Sequence, residues 1–194
     1  MRIKDLKLLI EKNRSYRRFD FGRKISEDVL VELVDAARMS QSAANLQPLS
    51  YITISKEEMV AKVHKHMRWA GYLPDWNGPV DVERPVAFII VLGNTEVKQT
   101  YREVDAGLAM QNMCICAAAE GIGSCMIGNL DKKILVELLE IPEHYEIIYA
   151  VAFGFPVEQV QMVPFAGDVK YYRNENQNHF VPKRLLKDVL IKRV

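Results

Sequence analysis

Tyr101-Arg-Glu-Val-Asp105-Ala-Gly-Leu-Ala-Met110-Gln-Asn-Met-Cys-Ile115-Cys-Ala-Ala-Ala-Glu120 is the stretch on which the fold turns. It reads as one helix, apolar almost all round and closed by Gly121 and Gly123. A helix of that kind belongs in the centre of a core. Its most apolar part, residues 106–119, is too short for a membrane span and carries Gln111 and Asn112.

The segments on either side supply what this helix packs against. Residues 86–92 and 147–153 are continuous apolar runs suited to buried strands, and residues 50–55 alternate with β-branched residues as a half-buried strand does. Ile3, Leu6, Leu9 and Ile10 have helical spacing. Ser26 starts a second helix as its N-cap, with Glu27 and Asp28 at the positive end of the dipole. Its apolar stripe runs through Val29, Leu30, Leu33, Val34 and Ala37 and ends near Met39. Further helices are expected over residues 57–66, after a capping Asp131 and before Pro142, and over residues 185–191. Helices and strands mix without the alternation of a doubly wound sheet, and no repeat or linker divides them. The expectation is an α+β fold in a single domain spanning residues 1–194.

The chain of 194 residues is 49% hydrophobic and 26% charged, an ordinary globular composition. A net charge of +1 gives no reason to expect nucleic acid or an anionic membrane as a partner. The first ten residues mix Arg2, Lys4, Asp5 and Lys7 among apolar residues, unlike a secretory signal, and three cysteines make no paired disulfide framework. These features point to a reducing, cytoplasmic setting. Cys114 and Cys116 lie on different faces of their helix and no second Cys or His pair has a zinc spacing, so both are expected to be buried structural residues and no metal is expected. His64 and His66 sit among lysines on what reads as a solvated face, and His144 and His179 have no catalytic partner nearby in sequence. A Gly-x-Ser-x-Gly nucleophile motif is absent.

Against that neutral balance, Arg14-Ser15-Tyr16-Arg17-Arg18 is a local knot of positive charge with a hydroxyl inside it. Guanidinium groups bind phosphate through paired hydrogen bonds, although charge runs also decorate solvated faces. Residues 40–48, Ser-Gln-Ser-Ala-Ala-Asn-Leu-Gln-Pro, pack hydroxyls and carboxamides into a loop. Carboxamides offer both donor and acceptor, as the edge of a heteroaromatic ring requires, and the same residues also build turns. Residues 67–84 form a long irregular aromatic segment of the length seen in lids and binding loops.

These motifs together resemble the FMN-dependent nitroreductase family. Arg-Ser-x-Arg follows a short helix, and Ser-x-x-Asn-x-Gln-Pro leads into a strand. Asp105-Ala-Gly-Leu-Ala-Met-Gln-Asn-Met is similar to the family's central helix, and Gly121-Ile-Gly-Ser-Cys-Met-Ile-Gly128 to the turn and strand after it. Ala152-Phe-Gly-Phe-Pro156 resembles the late strand with its exit, and Val181-Pro-Lys-Arg184 the basic C-terminal element. The family often carries Pro before the loop serine, where this chain has Gln41.

The resemblance implies a central, mostly antiparallel sheet surrounded by helices, in an intertwined homodimer that binds FMN at the ends of its interface. It implies that Arg14 and Arg17, with Ser15 beside them, hold the phosphate and ribityl region, and that Lys183 and Arg184 approach the same phosphate. The tail, residues 171–194, would complete the cofactor site and the dimer. Arg18 is expected at the surface or an interface. Ser42, Asn45 and Gln47 would lie close to the flavin, some of them offered by the other subunit, and Ile127, Gly128 and Asn129 would run past the isoalloxazine. Arg68, Trp69, Tyr72 and Trp76 are the candidate substrate cover, or else aromatics that pack the dimer interface. The expected reaction is a ping-pong cycle in which NADH or NADPH reduces the flavin and a nitroaromatic or quinone-like small molecule is then reduced. No side-chain acid or base is expected, because the cofactor carries the chemistry. Reductive dehalogenation, flavin fragmentation and FMN binding without catalysis are the alternatives.

Overall fold

The computed structural model describes residues 2–98 and 100–194. In chain order the elements are α1 (Ile3–Lys12), α2 (Glu27–Arg38), β1 (Leu49–Ile54), α3 (Glu57–His64), β2 (Ala87–Asn94), α4 (Arg102–Ala119) and β3 (Gly123–Ile127). They continue as α5 (Lys132–Leu138), β4 (Tyr145–Gly154), β5 (Val160–Pro164), β6 (Tyr172–Arg173), β7 (His179–Lys183) and the short α6 (Leu186–Val189). β1, β2, β4 and β3 form, in that spatial order, one antiparallel sheet, so the α+β expectation agrees with the structure.

The continuous apolar runs have a simple cause, since helices cover both faces of this sheet. Ala87, Ile89 and Val91 of β2 join Val151 and Phe153 of β4 in a core with α2 and α4. Phe88, Ile90 and Leu92 join Ala150 and Ala152 in a second core with α3 and α5. Alternate side chains along each strand therefore find apolar partners on either side, and polar residues have no place in the run.

Local signals set several element ends. Ser26 Oγ accepts from the Val29 N–H at 3.4 Å and so caps α2, and Gly121 takes a φ of +70° that lets the chain leave α4 cheaply. Other expectations need correction. α4 is not enclosed all round within the chain: Ala106, Ala109, Met110, Met113 and Ala117 are buried, but Val104, Leu108, Gln111 and Cys116 are exposed, because α2 and the sheet cover only one side. Cys116 is thus not a buried structural cysteine, whereas Cys114 is buried. Asp131 precedes α5 without capping it by side chain; its carboxylate lies 3.3 Å from Arg68 Nη2 and 3.5 Å from His66 Nδ1. His64 is not on a solvated face; its ring is half-buried against Trp69, with centroids 5.7 Å apart. No helix among the described residues is long and apolar enough to cross a membrane.

The arginine segment is placed by the free edge of this sheet. Ser15 bridges to Ser124 of β3, and the Tyr16 N–H donates to the Ser124 carbonyl at 2.9 Å. Phe19 is fully buried against Gly154, where a Cβ would come within 2.7 Å of Phe19 Cβ, and the Asp20 N–H donates to the Phe155 carbonyl at 2.8 Å. β5, β7 and β6 form a second, three-stranded sheet in which β5 and β7 are parallel.

One buried carboxylate joins that small sheet to the arginine segment. Glu158 Oε1 accepts from the Arg17 N–H at 2.5 Å and the Arg18 N–H at 3.1 Å, and Oε2 accepts from Arg173 Nη2 at 2.9 Å. The Glu158 and Arg173 side chains are 1% and 8% exposed, so neither charge has water as a substitute partner. Removing one partner of such a pair costs about 3–5 kcal/mol, because the other is left buried and uncompensated. Glu158→Ala is therefore expected to lower stability by about that amount in urea denaturation and to make residues 160–194 the first site of limited proteolysis.

Candidate functional site

The docking of the arginine segment on β3 opens a cavity of about 290 Å³ between β3, α4 and the tail. Arg14, Ser15, Arg17 and Lys183 line it, joined by Ser124 and Met126 of β3, Gln111 and Cys114 of α4, and Tyr171 and His179 of the tail. Among the described residues that line it there is no Asp or Glu. Three fixed cations thus converge on a space without a carboxylate, an arrangement that attracts anions.

Each cation is held differently. Arg14 Nη2 donates to the Ile10 carbonyl at 2.8 Å, at the C-terminal end of α1, while its Nε is buried without a hydrogen-bond partner among the described residues. Arg17 is nearly buried; its Nη1 donates to the Ser15 carbonyl at 3.2 Å and lies 3.3 Å from His179 Nε2, and its guanidinium sits 4.7 Å from the centre of the Tyr171 ring. Lys183, the last residue of β7, is exposed at the rim. Arg18 turns away to a paired contact with Glu83, at 2.7 and 2.5 Å, which holds the Glu83 carboxyl below its usual range. Arg184 lies outside the cavity lining, and its guanidinium donates to the Asp188 carbonyl in α6.

The carboxamide loop is a second place. Ser42 Oγ donates to Asp105 Oδ2 at 2.6 Å and accepts from the Gln47 N–H at 2.9 Å, and the Ala43 N–H donates to Asp105 Oδ1 at 3.1 Å. Asp105, buried in the first turn of α4, thereby ties down a loop in which Ala44, Asn45 and Gln47 all take positive φ. Burial, with a smaller contribution from the same carboxylate, pushes the Tyr51 hydroxyl up to about 12. Ser42 and Gln47 line a separate cavity of about 170 Å³ with Asp105 and Ala109, and Asn45 is exposed beside it. Gln111 and Cys114 of the cationic cavity stand six and nine residues beyond Asp105 on α4, about 9 and 14 Å at 1.5 Å per residue, and although Ala109 is only two residues before Gln111, no residue lines both cavities. Within one chain the two sets of residues do not share a pocket.

The aromatic segment is a third place. Arg68, Trp69 and Trp76 line a cavity with His64, Met67 and Leu73. Met67 bridges to Leu130, and the Arg68 N–H donates to the Asn129 carbonyl at 3.0 Å, which stitches this segment to the exit of β3. Ile127 turns its side chain into the core while Gly128 and Asn129 are exposed after it. Tyr72 and Tyr171 rings meet at 5.0 Å and Arg173 lies 4.2 Å over Trp76, so this segment and the cationic cavity share the tail as a neighbour.

The sequence model of the nitroreductase family matches residues 10–155. The chain belongs to this family. A candidate NADH dehydrogenase/NAD(P)H nitroreductase of Archaeoglobus fulgidus is 27% identical over 158 residues, covering 78% of this chain and 85% of that protein. An NADPH-dependent oxidoreductase of Staphylococcus aureus is 26% identical over 171 residues, covering 77% of this chain and 64% of that protein. The crystal structure of a candidate nitroreductase of Desulfovibrio desulfuricans in complex with FMN has a TM-score of 0.71 at 20% identity, covering 97% of this chain and 96% of that one, a likeness of fold.

Tyr171, His179, Gln111, Ser124 and Met126 were not singled out by the sequence as lining residues. Period-two alternation on β3 places Ser124 and Met126 together and opposite Cys125 and Ile127, so that part of the lining was open to inference. His179 gave no such signal. It is 1% exposed, and burial with the Arg17 and Arg173 charges pushes it down from the ordinary 6.5 to about 4.

The consequence for stability has a definite sign. A histidine whose folded form resists protonation contributes fully above the unfolded value near 6.5, and that contribution is lost as pH falls toward about 4, because the unfolded chain takes the proton first. The melting temperature is expected to fall between pH 7.5 and 5, and His179→Gln should reduce that fall. His64, also pushed down by burial, titrates in both proteins and cancels in the comparison.

Proposed function

We propose that this protein is an FMN-dependent oxidoreductase in which the cationic cavity holds the phosphate end of the flavin. The observation that carries the reading is the convergence of Arg14, Arg17 and Lys183 on a cavity whose described lining has no carboxylate. Arg14 Nε, on one of these side chains, is buried without a hydrogen-bond partner among the described residues. Buried donors of that kind are costly unless a group with acceptor oxygens meets them, so the donor set fits a phosphate and its attached polyol. The FMN in the Desulfovibrio desulfuricans relative and the NAD(P)H named for the other relatives support the same reading.

When bound, FMN supplies two-electron redox chemistry between NADH or NADPH and an acceptor such as a nitroaromatic or quinone-like small molecule. The chain's own residues do the rest. Arg14, Arg17 and Lys183 neutralise the phosphate, with the Ser15 hydroxyl beside them and Arg184 next in the chain. Backbone around Ile127, Gly128 and Asn129 borders the ring system. Ser42, Asn45 and Gln47 offer carboxamide and hydroxyl groups to it, and their separate cavity in one chain favours their coming from a second copy in a homodimer. Arg68, Trp69, Tyr72 and Trp76, stitched to Asn129, cover the face where pyridine nucleotide and acceptor take turns. Residues 171–194 complete the site at Lys183.

Purified protein is expected to be yellow or to bind added FMN, and to oxidise NADH or NADPH anaerobically with nitroaromatics or quinones as acceptors. Arg17→Ala removes a charged hydrogen-bonding partner worth about 1.5–3 kcal/mol, so FMN affinity should fall about 10- to 150-fold. A colourless protein that takes up no FMN, or an Arg17→Ala variant with unchanged affinity, overturns the reading. Turnover with halophenols alone, or FMN binding with no reduction by either nucleotide, would assign other chemistry to the same fold.

A further inference from the structure

We propose that His179 is a positioning residue that fixes the Arg17 guanidinium for an anionic ligand, acting as a neutral hydrogen-bond acceptor from within the fold. The inference rests on reading the cationic cavity as a phosphate site. The contact between Arg17 and His179 can run in one direction only. Arg17 Nη1 lies 3.3 Å from His179 Nε2, and a guanidinium carries donors and no acceptor. His179 Nε2 must therefore be the lone-pair nitrogen, with the ring proton on Nδ1. An imidazolium in this place would present N–H to N–H.

The surroundings hold the ring to that role. The His179 N–H donates to the Gln159 carbonyl at 2.9 Å, and β7 carries the residue between β5 and β6. The Tyr171 ring packs on the imidazole with centroids 5.1 Å apart and also underlies the Arg17 guanidinium. Burial and the charges of Arg17 and Arg173 oppose a proton on the ring, and Arg173 is itself paired with Glu158. The guanidinium is thus gripped by the Ser15 carbonyl, the His179 nitrogen and the Tyr171 face, while it lines the cavity. A flexible arginine would lose side-chain freedom on meeting an anion; one held beforehand has already lost it. Tyr171 and His179, two of the three groups in this grip, lie beyond residues 10–155, in the part of the chain outside the family match.

The test compares FMN with riboflavin, which has the same ring and polyol but no phosphate, using flavin fluorescence on the full-length, flavin-stripped protein. His179→Gln keeps an acceptor near the Nε2 position, whereas His179→Asn and His179→Phe do not. Asn and Phe variants are expected to lose about tenfold in FMN affinity, the worth of one hydrogen bond to a charged group, and to keep riboflavin affinity within about twofold. His179→Gln should retain most of the FMN preference. In an Arg17→Ala background the His179 variants should change the preference no further, since the two residues act as one. If the Phe variant does not fold, the Asn and Gln pair decides. Equal losses for FMN and riboflavin, or an unchanged preference in His179→Asn, overturn the positioning role. Should Arg17→Ala itself leave the preference unchanged, the phosphate reading of the cavity fails first.

Discussion

The buried carboxylate of Glu158 is the contact on which the rest of the site depends. A single oxygen meets two successive backbone N–H groups, those of Arg17 and Arg18, and the other oxygen meets Arg173. Backbone groups at the edge of a sheet need partners, and a charge sealed from water needs them more. Both needs are satisfied together, and the outcome is geometric. The segment bearing Arg14, Ser15 and Arg17 is pinned to the edge of β3 on one side and to the tail on the other. The cationic cavity is the gap left between them.

That arrangement explains how one short basic motif is divided among different tasks. Arg17 and Arg18 are neighbours in the chain, but their side chains take different partners. Arg18 meets Glu83, and Arg17 meets His179 and Tyr171. Charge alone would have treated the two alike. A comparable division runs along α4, whose first turn holds the Ser42 loop through Asp105 while its middle contributes Gln111 and Cys114 to the cationic cavity. Burial raises the Cys114 thiol to about 12, so this cysteine contributes volume and packing to the cavity wall rather than a nucleophile.

Much of the fold was legible because its signals are local. The stripe of α2, its Ser26 cap, the two apolar strands and the turn at Gly121 each depend on residues within a few positions of one another. Errors fell where a distant partner intervened. Asp131 has the right residue type to cap α5, but Arg68 and His66 draw its carboxylate elsewhere. His64 is a different case: it follows a lysine-rich pattern, and the Trp69 that covers it is only five residues on, but the chain has left α3 by then and helical spacing does not show it folding back. α4 reads as a fully enclosed helix because apolar residues occupy nearly every face, and composition does not reveal which face the chain itself can cover.

By itself the sequence determined the α+β class, the two-sided apolar strands and the presence of a placed basic motif, since periodicity and charge are properties of adjacent residues. Only the tertiary structure decided which arginine enters the cavity, and that His179 and Glu158 belong beside it. Arg17 is 141 residues from Glu158 and 162 from His179, so no spacing rule could join them. They meet because burying a carboxylate and an imidazole requires partners, and folding the tail onto the sheet edge brings the guanidinium and the free N–H groups within reach.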